Sequence, residues 1–155
     1  MKKTNKGFSM VELIIVIAIM AILAGALAPS LIKYINKSRV SSDISTGDTI
    51  GSGIQTALSD EDAFDAAVSV SSPADYPSFR TAQGTNMQNE LDSILGTDLV
   101  TNATPAKSGK DVNGVALDKK FYVTLDVANN KVEVYCGAQD SAHMVYPTVG
   151  SDMQY

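Results

Sequence analysis

With 155 residues and a formal charge of -5, from 12 basic against 17 acidic side chains, the chain is one domain's worth of protein. It lacks the clustered Lys and Arg that a dedicated nucleic-acid or anionic-lipid binder needs. The only cysteine, Cys136, rules out an intramolecular disulfide and with it a disulfide-stapled secreted scaffold.

Lys2, Lys3 and Lys6 open the chain, and from Phe8 to Ile32 the only charge is Glu12. As a helix that stretch reaches about 37 Å, enough for a hydrocarbon layer of about 30 Å. A charge at the centre of a spanning helix costs about 2.5 to 3.5 kcal/mol even on insertion scales, so a carboxylate kept this close to a bilayer calls for a partner or a role. Ser9-Met10-Val11-Glu12 is also a capping-box pattern, which accounts for the glutamate locally. Positive-inside counting is a tie, with Lys33, Lys37 and Arg39 balancing the first three lysines. A cleaved secretory signal is the competing reading, since Ala26-Leu27-Ala28 imitates a cleavage site. Against it, Glu12 interrupts the apolar region and Pro29 directly follows that cut.

Residues Gly7 to Pro29 resemble the N-terminal signature of type IV pilins and pseudopilins, a resemblance covering about the first 40 positions. Lys2, Lys3 and Lys6 match the basic leader, Gly7-Phe8 the prepilin peptidase cut, Glu12 the family glutamate and Pro29 its kinking proline. The resemblance implies cleavage after Gly7 and N-methylation at Phe8. It further implies self-association through the helix and, as partners, other pilins, a prepilin peptidase, a membrane platform protein and an assembly ATPase. A bacterial single-pass membrane precursor that ends in an extracellular filament is the implied itinerary. Cleavage would place a positive amine at Phe8, on a helix N-terminus that already carries partial positive charge. Glu12 is its natural counter-charge, within one helix or between staggered neighbours, and pairing in a low dielectric favours one axial register.

Gly25 and Pro29 both weaken the helix, by about 1 and about 3 kcal/mol relative to alanine, so a kink or local melting is expected there. Melting in lipid would leave backbone groups unpaired, so it requires protein neighbours. Farther on, Val40, Ile44, Gly47, Gly51, Ile54 and Leu58 recur at steps of three and four and predict a helix face packed on a head domain. The small glycines allow close backbone approach. Asp60-Glu61-Asp62 marks a stop and reads as a solvated turn.

Ser71-Ser72-Pro73 and Tyr76-Pro77 read as loop. Thr85 with Gln88 predicts a capping box opening a short helix, carried by Met87, Leu91, Ile94 and Leu95 and stopped by Gly96. Asn113-Gly114 predicts a small hairpin turn between 110–112 and 115–117. Phe121, Val123, Leu125 and Val127 alternate with polar residues, as do Val132, Val134 and Cys136, so two strands flank an Asn129-Asn130 turn. A third strand around 144–148 completes a meander. The fold class is α+β: a long helix laid on a small antiparallel sheet, as in pilins. Its expected divisions are a leader over 1–7, a membrane or filament-core helix over 8–32, its amphipathic continuation over 33–59 and a head over 60–155.

No phosphate loop, nucleophile elbow or paired Cys/His metal spacing occurs. No catalytic residue, metal or cofactor is therefore expected. Cys136 reads as a buried small hydrophobe rather than a partner for His143, the only histidine. Asp111-Val112-Asn113-Gly114 begins like a calcium loop but lacks the later glutamate, and reads as a turn. Asn102-Ala103-Thr104 fits a glycosylation sequon.

The expected function is a structural subunit of a type IV pilus or pilus-like filament, serving adhesion, motility or surface attachment. The alternatives are a pseudopilin of a secretion or DNA-uptake machine and a membrane-tethered binding domain. The lack of a C-terminal cysteine pair departs from many Gram-negative pilins and weighs against transferring their surface features.

Overall fold

A computed structural model describes residues 7–96 and 106–154. The leader lysines and the Asn102 sequon lie outside them. Two compact units divide the chain, Met1–Ile35 and Asn36–Tyr155, and α1 (Met10–Ala57) supplies residues to both.

In the first unit α1 is helical throughout, including Pro29. The local melting expected at Gly25 and Pro29 is absent from this single chain. Proline lacks the amide that would bond the carbonyl four residues back, which belongs to Gly25, so the two residues weaken one and the same hydrogen-bond position. Leu13, Ile17, Leu23, Leu27 and Leu31 are all exposed. A helix apolar around its whole circumference is built for lipid or for a bundle.

In the second unit α1 buries Val40, Ile50, Ile54 and Ala57, with Ile44 partly covered. Gly47 and Gly51 are points of close approach to the strand Met144–Tyr146. A Cβ on Gly47 would run into the Val145 side chain, and one on Gly51 into the ring of Tyr146. The predicted stripe is therefore the packing face, and its glycines admit the neighbouring strand.

After α1 the acidic run starts a helix instead of only ending one: Asp60 caps α2 (Glu61–Asp65) by accepting the Ala63 amide at 2.9 Å. The segment read as loop contains β1 (Val70–Asp75) and α3 (Tyr76–Ala82). β1 is an edge strand with an irregular register between Val70 and Ala74, which is where a Ser-Ser-Pro sequence can be tolerated. Pro77 opens α3, a position where its missing amide costs nothing. α4 (Thr85–Leu95) matches the predicted helix, yet Gly84 is its cap and Thr85 its first residue. The predicted capping box does not form, because Gln88 donates instead to the Gln83 carbonyl at 2.6 Å. Gly96, at φ 76°, ends the helix as expected.

Arg80 clamps α3 to α4 with two hydrogen bonds to Asp92, Nε to Oδ1 at 2.8 Å and Nη2 to Oδ2 at 2.6 Å. The remaining strands are β2 (Phe121–Asp126), β3 (Lys131–Cys136) and β4 (Met144–Tyr146), giving an antiparallel sheet in the order β1-β2-β3-β4. Phe121, Val123 and Leu125 face Cys136, Val134 and Val132 across the central pair and form the core side of the sheet. Asn130, at φ 49°, makes the predicted turn between them. The small hairpin is reduced to a single bridge, Lys110 with Ala116, closed by Gly114 at φ 88°.

Candidate assembly site

At the start of α1 Ser9 and Glu12 cap each other. The Ser9 amide donates to Glu12 Oε2 at 2.8 Å and the Glu12 amide donates to Ser9 Oγ at 3.2 Å. Two of the four orphan amides of the helix end are thereby satisfied. Glu12 Oε1 makes no hydrogen bond among the described residues. The carboxylate thus serves the cap through one oxygen. Gly7 and Phe8 precede the helix, exposed and outside regular structure, and Phe8 is 91% exposed. Gly25 has no neighbour within 4 Å that an added Cβ would meet. Among the described residues α1 is the one helix long and apolar enough to cross a membrane.

Residues 2–28 match the family model for the prokaryotic N-terminal methylation motif. The chain carries a type IV prepilin signal. Similar curated proteins include type IV major fimbrial proteins FimA of Dichelobacter nodosus. One is 42% identical over 60 residues, covering 39% of this chain and 38% of that protein. Another is 40% identical over 62 residues, covering 40% and 39%. The match thus spans about two fifths of the relatives' own length. No solved structure matches the chain. With its long apolar helix and small antiparallel sheet, the chain has an α+β architecture consistent with a pilin fold.

The head residues singled out in the sequence separate into two places. Cys136 is fully buried, and burial pushes its thiol up to about 12; the Asp43 charge adds to the rise and the Ser108 hydroxyl opposes it. Such a thiol is inert at neutral pH. His143 is held elsewhere, by Asp140 at 2.7 Å through Nδ1, with Asp111 Oδ2 lying 3.7 Å from Nε2. Ligand atoms of Asp111, His143 and Asp152 lie within 4.8 Å of one another. These three residues are far apart in sequence and show no recognisable ligand spacing. Asp43 was missed as well. It sits on the apolar stripe, fully buried, and its two oxygens accept the Lys107 and Ser108 amides at 2.6 Å each. A lone carboxylate three residues after Val40 and four before Gly47 was the available signal.

Proposed function

We propose that this chain is a prepilin, a structural subunit of a type IV pilus or pilus-like filament. It is cut between Gly7 and Phe8, N-methylated at Phe8 and polymerised through α1. The observation that carries this reading is the helix of 13–32: uncharged, apolar on every side, unpacked, and opening on a carboxylate inside the matched methylation motif. Burying each Leu or Ile side chain is worth about 1.5 to 3 kcal/mol, so such a surface does not stay in water. It resides first in the cytoplasmic membrane and then in a bundle of like helices. The fimbrial relatives support the filament as the destination.

Within the bundle, the new amine at Phe8 pairs with Glu12, on its own chain or on a neighbour, and fixes axial register. Gly25 and Pro29 are the place where the helix gives way if packing demands extension. Processing requires a prepilin peptidase. Extrusion requires a platform protein and an ATPase, while the head supplies the surface used in adhesion or motility.

Mass spectrometry of the mature chain tests the reading. The expected N-terminus is methylated Phe8, and sheared surface filaments seen by electron microscopy should contain peptides of this chain. A mature chain beginning at Met1 or Pro29 overturns it.

A further inference from the structure

We propose that Asp111, His143 and Asp152 form a binding site for one divalent transition-metal ion of the zinc class, with Asp140 orienting the histidine. The inference is independent of the filament role.

Asp140 Oδ1 lies 2.7 Å from His143 Nδ1. A carboxylate at that distance only accepts, so the proton of a neutral imidazole resides on Nδ1 and the lone pair on Nε2. Nε2 is buried without a hydrogen-bond partner, on a side chain that is only 10% exposed. It points at Asp111 Oδ2, 3.7 Å away on a carboxylate buried almost completely. A lone pair facing a buried carboxylate is unfavourable, and a metal cation held between the two relieves that repulsion. In a tetrahedral zinc site with bonds of about 2.1 Å, neighbouring ligand atoms are about 3.4 Å apart. The His143–Asp111 separation is already close to that, and Asp152 is the third donor within reach. The Asp140–His143 contact is the carboxylate–histidine arrangement that fixes tautomer and ring orientation at metal sites.

The protein holds these groups in place by backbone contacts. The Asp111 amide donates to the Val115 carbonyl at 3.0 Å, and the Val112 amide to the Asp152 carbonyl at 3.1 Å. Gly150 lies against the Ser141 and Ala142 carbonyls, where no Cβ would fit, and this brings the 151–153 turn up to His143. A buried imidazole nitrogen with two carboxylates suits zinc, cobalt or nickel. Calcium, which takes six to eight oxygen ligands, is poorly served.

The test is calorimetric titration of the chelator-treated full chain in detergent with zinc chloride, and in parallel with calcium chloride. One zinc per chain is expected, with little heat from calcium. His143→Gln should abolish binding, and Asp152→Asn, altering a half-buried residue near the C-terminus, should weaken it strongly. Asp140→Asn should weaken it by about 10- to 100-fold. If His143→Gln does not fold, Asp152→Asn decides. Cobalt chloride should give the visible bands of a tetrahedral N/O site. Absence of zinc binding, unchanged binding in Asp152→Asn, or a thiolate charge-transfer band from Cys136 overturns the proposal.

Discussion

Asp43 Oδ2 accepts the Ser108 amide at 2.6 Å, joining residues 65 positions apart, while its other oxygen takes the adjacent Lys107 amide. One buried carboxylate thus anchors the 106–108 segment to the long helix. Removing it leaves one buried and one part-buried amide unpaired, at about 1 to 3 kcal/mol each. Asp43→Ala should lower head stability by about 3 kcal/mol in denaturant unfolding. Asp43→Asn keeps one acceptor and should cost less.

The glycines of α1 should respond with opposite signs. Alanine gains about 1 kcal/mol in intrinsic helicity at any of them, but at Gly47 and Gly51 its Cβ meets Val145 and Tyr146. Overpacking costs about 1 to 3 kcal/mol, so Gly47→Ala and Gly51→Ala should lower the melting temperature. Gly25→Ala meets nothing and should raise helicity in detergent, as read by circular dichroism.

Glu12→Gln separates the cap from the charge. Glutamine at this position still closes a capping box, so helix content and cleavage after Gly7 should remain near wild type. Counts of filaments by electron microscopy should collapse, because the Phe8 amine loses its counter-charge. Ser9→Ala is the converse: about 1 kcal/mol less stability at the helix end, with filaments retained. Normal filament numbers for Glu12→Gln would refute the register role.

Stability should fall at alkaline pH in two overlapping steps. Burial raises Cys136 from 9.0 to about 12. Tyr76 and Tyr135 rise from 10.0 to about 12, again mainly by burial. In each case the folded state holds the proton more tightly, so stability is complete below the unfolded value and declines as pH rises toward the folded one. For the thiol the slope is about 1.4 kcal/mol per pH unit between 9 and 12. Cys136→Ala should move the onset of the decline from about pH 9 to about pH 10 in denaturant unfolding, leaving the tyrosine contribution.

Local physics was legible in the sequence. An uncharged run, a Ser-x-x-Glu cap, a three-four stripe and two alternating strands each express a preference that neighbouring residues settle among themselves. From these came the apolar helix, its packing face with the glycine approach, and the central hairpin of the sheet.

Tertiary structure decided whatever depended on distant residues. Pro73 lies in an edge strand because β2 offers a partner there and the irregular register spares its missing amide. Thr85 gave up the cap because Gln88 found the Gln83 carbonyl. Asp43 became an anchor only when residues 107 and 108 arrived with unpaired amides. Asp111, His143 and Asp152 converge because three turns pack together, and no local spacing encodes that meeting. The amino-acid sequence by itself therefore determined the N-terminal helix, where each residue answers to its own neighbours. The fold decided the chemistry of the head, where each buried polar group answers to a partner far away in the chain.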